Sequence, residues 1–234
     1  MKKATFILFF IFIGFFSIAQ RQIGVGLKVV STYELNKYED QGNLIVGNFP
    51  ERIGSLAYGI SFEGQLQNNL FCEIAVNKKN YWMGYEKNPY LKSISSASYL
   101  FTSFQIPILL KYKLKLHKFV FISPNIGPVF CTNQQYGAYH ESSNNDFENI
   151  IKISYKNDFA KRFILGQFGL DLELNFTEKF GLVINSAILQ GNKKVVVGNI
   201  LYKLKNATGW NTAKITNNGN YWFIGLSMKY NFLY

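Results

Sequence analysis

The sequence predicts an all-β protein, an eight-stranded antiparallel up-and-down transmembrane β-barrel with four long extracellular loops and short periplasmic turns. Three observations predict it. Eight segments alternate apolar and polar residues with a period of two, as strands with one greasy and one wet face do. The connections between them alternate short and long, as in outer-membrane barrels. The wet face carries charges of both signs, and the opposite face is almost continuously Leu, Ile, Val, Phe and Tyr.

Taken in order, the first segment is Gln22 to Tyr33, with Ile23, Val25, Leu27 and Val29 opposite Gly24, Gly26 and Lys28. The second, Leu56 to Gln67, sets Leu56, Tyr58, Ile60 and Phe62 against Ser61, Glu63 and Gln65. The third, Leu70 to Trp82, sets Leu70, Cys72, Ile74 and Val76 against Glu73 and Asn77. In the fourth, Tyr99 to Lys113, the run Phe104, Ile106, Ile108, Leu110 and Tyr112 alternates with Ser103, Gln105 and Lys111. The fifth, Phe119 to Thr132, is weakened by Pro124 and Pro128, because proline removes a ladder donor. The sixth is Phe159 to Asn175, with Asp171 and Glu173 on its wet face, and the seventh is Phe180 to Gln190. The eighth, Tyr221 to Tyr234, is the longest clean pattern: Trp222, Ile224, Leu226, Met228, Tyr230, Phe232 and Tyr234 share one face. It is expected to pair with the first and shut the barrel.

Asn68-Asn69, Leu114 to Lys118 and Phe176 to Lys179 are the short turns. Glu34 to Ser55, Met83 to Ser98, Asn133 to Asp158 and Gly191 to Gly219 are the long loops, and both strand termini then fall on the short-turn side. Within the last loop, Lys193 to Val197 and Ile200 to Lys205 read as a hairpin about a Gly198-Asn199 turn. Arms of about five residues are too short to span, since a spanning strand needs about 9–11. The hairpin is therefore an extension above the membrane, and a ten-stranded barrel is the alternative.

A water-soluble barrel would also alternate, but it would have to fill its interior with the apolar face. Eight strands enclose little more than the volume of their own inward side chains. Lipid outside and paired charge inside fits better, so Lys28, Glu63, Glu73, Lys111, Asp171, Glu173 and Lys229 are expected to form a structural charge network in the lumen. The same narrowness argues against an open porin. Tyr33, Tyr81, Trp82, Tyr99, Trp222 and Tyr234, near strand ends, are expected in the aromatic girdles. Tyr230, Phe232 and Tyr234 form the candidate membrane-insertion signal read by a barrel-assembly machinery.

Lys2 and Lys3, an uncharged run from Thr5 to Ile18, and small residues before Gln20 predict a cleaved secretory signal peptide over residues 1–20. Residues 21–234 then form one barrel domain exported to the bacterial outer membrane. An aromatic content of 17% suits girdles. The net charge of +11 raises nucleic acid as a partner, but no helix carries a basic stripe, and Arg21, Arg52 and Arg162 are scattered in the sequence. Anionic lipid or lipopolysaccharide is the better match. Cys72 and Cys131 fall near opposite ends of the barrel, beyond disulfide reach, and are expected to be free. No metal or other cofactor is expected, because the two histidines, His117 and His140, are isolated and no metal-ligand spacing occurs.

At the fourth segment the sequence reads FQIPILLKYKL, Phe104 to Leu114. With IGPVF at Ile126 to Phe130 and GLSMKYNF at Gly225 to Phe232, it resembles the PorT-like outer-membrane β-barrel family of Bacteroidota over roughly Gln22 to Tyr234. The resemblance implies an eight-stranded membrane barrel. The family's namesake belongs to a protein-secretion apparatus, and no functional residue carries over.

Two candidate chemistries are weighed against plainer readings. Glu63, Glu73, Asp171 and Glu173 could be paired catalytic carboxylates. Charges in a dry lumen must be paired, however, and a salt-bridge network accounts for them better. His140, with Glu141, Ser142 and Asp146, lies in a polar loop with no rigid scaffold for a triad. Lys193, Lys194, Lys203, Lys205 and Lys214 occur without an acidic residue between Gly191 and Gly219 and form a candidate surface for anionic lipopolysaccharide or an acidic partner, although a solvated loop beside a charged membrane accounts for such a charge run better. The expected function is a non-enzymatic membrane scaffold or interaction protein in envelope, secretion or adhesion work, with an envelope protein as partner. A small-ligand binder or narrow channel is the alternative, and a lipid-modifying enzyme or protease a further one.

Overall fold

The computed structural model describes residues 22–35, 37–41, 55–84, 98–134, 150–204 and 208–233. Residues 1–20, where a signal peptide is expected, and His140, Lys205 and Tyr234 lie outside the described residues, as do the side chains of Trp82 and Tyr99. The strands are β1 (Gln22–Glu34), β2 (Lys37–Asp40), β3 (Ser55–Gln67), β4 (Leu70–Gly84), β5 (Ser98–Tyr112), β6 (Leu114–His117), β7 (Val120–Gln134), β8 (Ile150–Phe159), β9 (Arg162–Asn175), β10 (Phe180–Gln190), β11 (Val196–Leu204), β12 (Asn211–Asn217) and β13 (Tyr221–Leu233).

Eight of these strands close a ring in the order β1-β3-β4-β5-β7-β9-β10-β13, and β6 continues β5 past Lys113. All the pairings are antiparallel, and β1 and β13 close the ring from Gln22↔Leu233 to Glu34↔Tyr221. This is the closed eight-stranded barrel that the alternation predicted. Period two is plainest on β13, which buries Tyr221, Phe223, Ser227, Lys229 and Asn231 and exposes Trp222, Ile224, Leu226, Met228 and Phe232.

The barrel is inverted relative to a water-soluble domain. Large apolar residues, including Leu27 (62% exposed), Phe168 (59%) and Met228 (69%), cover the outside, while lysines and carboxylates are buried within. A continuous apolar surface of this extent needs a nonpolar surrounding. It ends in polar residues on the long-loop side, at Thr132 on β7 and Arg162 on β9. Tyr33 and Trp222 stack at 4.1 Å near that boundary, where an aromatic girdle sits.

The prolines of β7 are absorbed by its pairing. The β5–β7 ladder skips from Pro107↔Val129 to Leu110↔Ile126, and the next gap lies between Lys111↔Asn125 and Leu114↔Ile122. Pro128 falls in the first gap and Pro124 in the second, so neither is asked for a ladder bond it cannot donate. Gly127 serves the same close approach, because a Cβ there would meet the Ile108 carbonyl oxygen at 2.0 Å.

Three sequence expectations change. The strand pattern of the fourth segment runs on beyond Lys113, because Leu114–His117 pairs with β7 and leaves only Lys118 and Phe119 as the turn. Gly198-Asn199 is not a turn: β11 runs straight through it as one strand of nine residues, hydrogen-bonded to β12 on one side and β8 on the other. Two flanking ladders outweigh a local turn preference. The hairpin is instead β11–β12, and it joins β2 and β8 in a separate sheet of order β2-β12-β11-β8. These strands add none to the ring; they form an extension beyond its long-loop rim. Tyr81 is the third change. It is 1% exposed and points into the barrel, since it shares the parity of Glu73 and Lys79.

Candidate functional site

The interior is closed at two levels. The lower level, near the short turns, is a network of carboxylates and ammoniums. Glu63 on β3 and Glu73 on β4 stand directly opposite each other in register. Like charges so placed repel, and Lys111 on β5 relieves them. Its ammonium lies 2.5 Å from Glu73, 2.7 Å from Asp171 and 3.4 Å from Glu63. Lys113 reaches Glu63 at 2.6 Å and Glu173 at 2.9 Å. Lys229, from β13, reaches Glu63 at 2.5 Å and Glu173 at 3.3 Å. Glu63 thus holds three ammoniums from two strands across the lumen.

Lys28 also points inward and is buried, but it lies over the Phe223 ring at 4.7 Å and makes no ion pair within 4 Å among the described residues. It balances the charge of the plug from above. Glycines make the space: a Cβ at Gly24 would meet Lys229 Cε at 2.6 Å. Just above, Asn185 donates to Asp171 at 2.9 Å, Ser227 bonds Asn185, and Gln167 donates to Asn125 at 3.1 Å. The cavity left inside the plug measures about 20 Å³, room for a single water.

The upper level is built on Lys79. Its ammonium pairs with Glu34 and donates to Thr32 Oγ1 at 2.7 Å and Ser55 Oγ at 2.8 Å, which uses all three of its hydrogens. It also lies 3.9 Å from the Tyr81 ring centre and 4.6 Å from that of Tyr221. The two rings meet edge to face at 6.2 Å. Gln105 locks them, accepting from the Tyr221 hydroxyl at 2.7 Å and donating to that of Tyr81 at 3.1 Å. Along the strands between the two levels, Val30, Ala57, Leu109, Val129, Leu165 and Ala187 face inward and are buried.

Sequence reasoning missed Lys113, Lys79, Glu34 and the Tyr81–Gln105–Tyr221 group. Parity was the available signal: Lys113 follows Lys111 by two, and Lys79 follows Asn77 by two on the same face. Cys72 and Cys131 are free thiols. Lys193 and Lys194 are exposed and Lys214 is half-buried. Lys203 lies on β11, and its side chain is outside the described residues. Tyr230 stacks edge to face with Phe180 and Phe232 at 4.9 Å each, at the short-turn end of β13.

A second cavity, of about 210 Å³, opens at the short-turn mouth. Gln65, Asn69, Phe71, Lys113, Lys115 and Glu173 are among the residues that line it.

No protein-family model and no curated protein sequence matches the chain. Among solved structures, it resembles the outer-membrane protein OprG of Pseudomonas aeruginosa with a TM-score of 0.55 and 10% identity, covering 92% of this chain and 98% of that one. The N-terminal β-barrel domain of Pseudomonas aeruginosa OprF gives 0.45 and 12% identity over 91% and 100% of the two chains. Ail, the attachment invasion locus protein of Yersinia pestis, gives 0.38 and 10% over 91% and 99%. At such identities the likeness is one of fold, and the chain has the closed eight-stranded β-barrel fold that outer-membrane proteins such as OprG display.

Proposed function

We propose that this protein is a non-enzymatic scaffold of a bacterial outer membrane, working through the surfaces it presents on either side rather than through its lumen. The observation that carries the reading is the doubly closed interior. A route through the barrel would have to break the Glu63–Lys111–Lys113–Lys229 network, pass the apolar layer and displace Lys79 from Glu34 and its two tyrosines. The four lumen carboxylates that could serve acid–base chemistry are all held by lysine or asparagine. The extension sheet β2-β12-β11-β8 gives the barrel an ordered surface beyond the rim, suited to a protein partner in the envelope. The motifs resembling the PorT-like family, now on β5, β7 and β13, support a partner within a secretion or envelope assembly.

Planar-bilayer recording tests the closed lumen. Refolded protein should add no steady conductance above that of the lipid, and sustained single-channel steps would reject the reading. Crosslinking in intact envelopes should then yield a discrete protein adduct through residues of β11 or β12. A second reading, binding of a small polar ligand, draws on the cavity of about 210 Å³ beside Lys113 and Glu173. Ligand-dependent quenching of a probe at Asn69 without any protein adduct would favour it.

A further inference from the structure

The fold joins two basic dipeptides that the sequence keeps far apart. Lys161-Arg162 lies where β8 passes into β9, and Lys193-Lys194 lies where β10 passes into β11. The chains run antiparallel below this point, with Gln190 opposite Gly166, and again above it, with Val196 opposite Phe159. The amide of Ala160 donates to the Val195 carbonyl at 2.8 Å, tying the two crossings together. Lys161 follows Ala160 and Lys194 precedes Val195, so the two basic dipeptides flank this bond, one on each chain. All four are exposed, and none has an ion-pair partner among the described residues. Like charges on adjacent strands destabilise each other unless a counter-charge sits between them.

Their height on the barrel indicates which counter-charge. Outward residues of β9 read Leu170, Phe168, Ile164 and then Arg162, and those of β7 read Ile126, Phe130 and then Thr132. Arg162 is thus the first charge above the apolar band, on the long-loop side. Lys161, Lys193 and Lys194 cluster about the same boundary. Phosphates of lipid headgroups lie at this level, and four cations with a guanidinium fork match them in charge and geometry.

We infer that Lys161, Arg162, Lys193 and Lys194 form a binding site for the phosphate groups of an anionic lipid in the outer leaflet. This deepens the proposed scaffold role and rests on its membrane placement. The site fixes the rotational setting of the barrel in its lipid shell and seats one phosphorylated lipid beneath the extension sheet. The neighbouring Asp158 on β8 is the acidic residue closest in sequence, and the cluster outnumbers it.

The test uses the full mature barrel refolded into nanodiscs of phosphatidylcholine with or without a few per cent of lipid A. Native mass spectrometry should show retention of one lipid A per barrel. The variant K161Q/R162Q/K193Q/K194Q should lose that retention by roughly tenfold or more. The variant K115Q/K118Q, which removes two exposed cations at the short-turn end, should keep it. Millimolar inorganic phosphate should not displace the lipid from the wild type; displacement would mean a general phosphate site and overturn the lipid assignment. Equal retention by the quadruple variant, or equal loss in K115Q/K118Q, would overturn the site. Heat-modifiable gel mobility checks that each variant is folded. A barrel that fails to enter nanodiscs refutes the membrane reading itself, a result distinct from a barrel that enters and shows no lipid preference.

Discussion

Replacing Glu63 with alanine should lower the unfolding free energy in bilayers by about 3–5 kcal/mol, the usual cost of stripping one partner from a buried ion pair. Glu63 is where three ammoniums converge, at 2.5 Å from Lys229, 2.6 Å from Lys113 and 3.4 Å from Lys111. Without it, Lys229 keeps only Glu173 at 3.3 Å, and the plug holds one positive charge too many in a space with room for about one water. Removing charge in balance should be milder. E63L/K229M deletes one charge of each sign and leaves Lys113 on Glu173 and Lys111 on Glu73. Its cost should fall well short of the sum of the two single changes, because replacing both members of a buried pair with apolar groups is often close to neutral. Urea titrations of the four proteins in lipid vesicles supply the cycle. Additive costs would mean that the lysines and Glu63 act independently, against the geometry of the plug.

Leu226→Arg should be nearly as damaging, for the opposite reason. Leu226 is 52% exposed and lies about midway along the outward face of β13, between Trp222 and Phe232. At the middle of a bilayer, arginine on the lipid face of a barrel costs about 2–4 kcal/mol, falling to about 0–1 near the interfaces. Tyr33→Arg, at the rim where Tyr33 stacks on Trp222, should therefore cost much less than Leu226→Arg. On the surface of a water-soluble barrel both substitutions would be nearly harmless. The same urea titrations decide, and a depth-independent effect would speak against a lipid-facing exterior.

Much of this architecture is legible because a barrel repeats one rule: alternate residues face the same way. Lys28, Glu63, Glu73, Lys111, Asp171, Glu173 and Lys229 share inward parity within uninterrupted segments, so their common destination can be read strand by strand. Their individual partners cannot, because each pairing crosses the lumen between strands distant in sequence. Tyr81 shows where a positional habit misleads. An aromatic residue near a strand end suggests a girdle, yet its parity with Glu73 sends it inward to Lys79 and Tyr221. Gly198-Asn199 shows a local turn signal yielding to hydrogen bonding on both edges of a strand. The extension sheet was hidden for a related reason: Lys37–Asp40 is too short to show a period, and its β12 partner lies far along the chain. Arg162 has only Lys161 beside it in sequence, and the Ala160–Val195 bond between the two crossings brings Lys193-Lys194 to the same stretch of the rim.

The orientation of the two faces is the claim on which the rest depends, and fluorescence quenching measures it directly. In a C72S/C131S background, a fluorophore at Leu226→Cys should be quenched strongly by lipids brominated on their acyl chains and hardly at all by aqueous iodide. The same fluorophore at Lys118→Cys, in the short turn, should respond in the opposite way. Iodide quenching at Leu226→Cys as strong as at Lys118→Cys would place the apolar face in water and contradict a membrane-spanning barrel with a charged, closed interior.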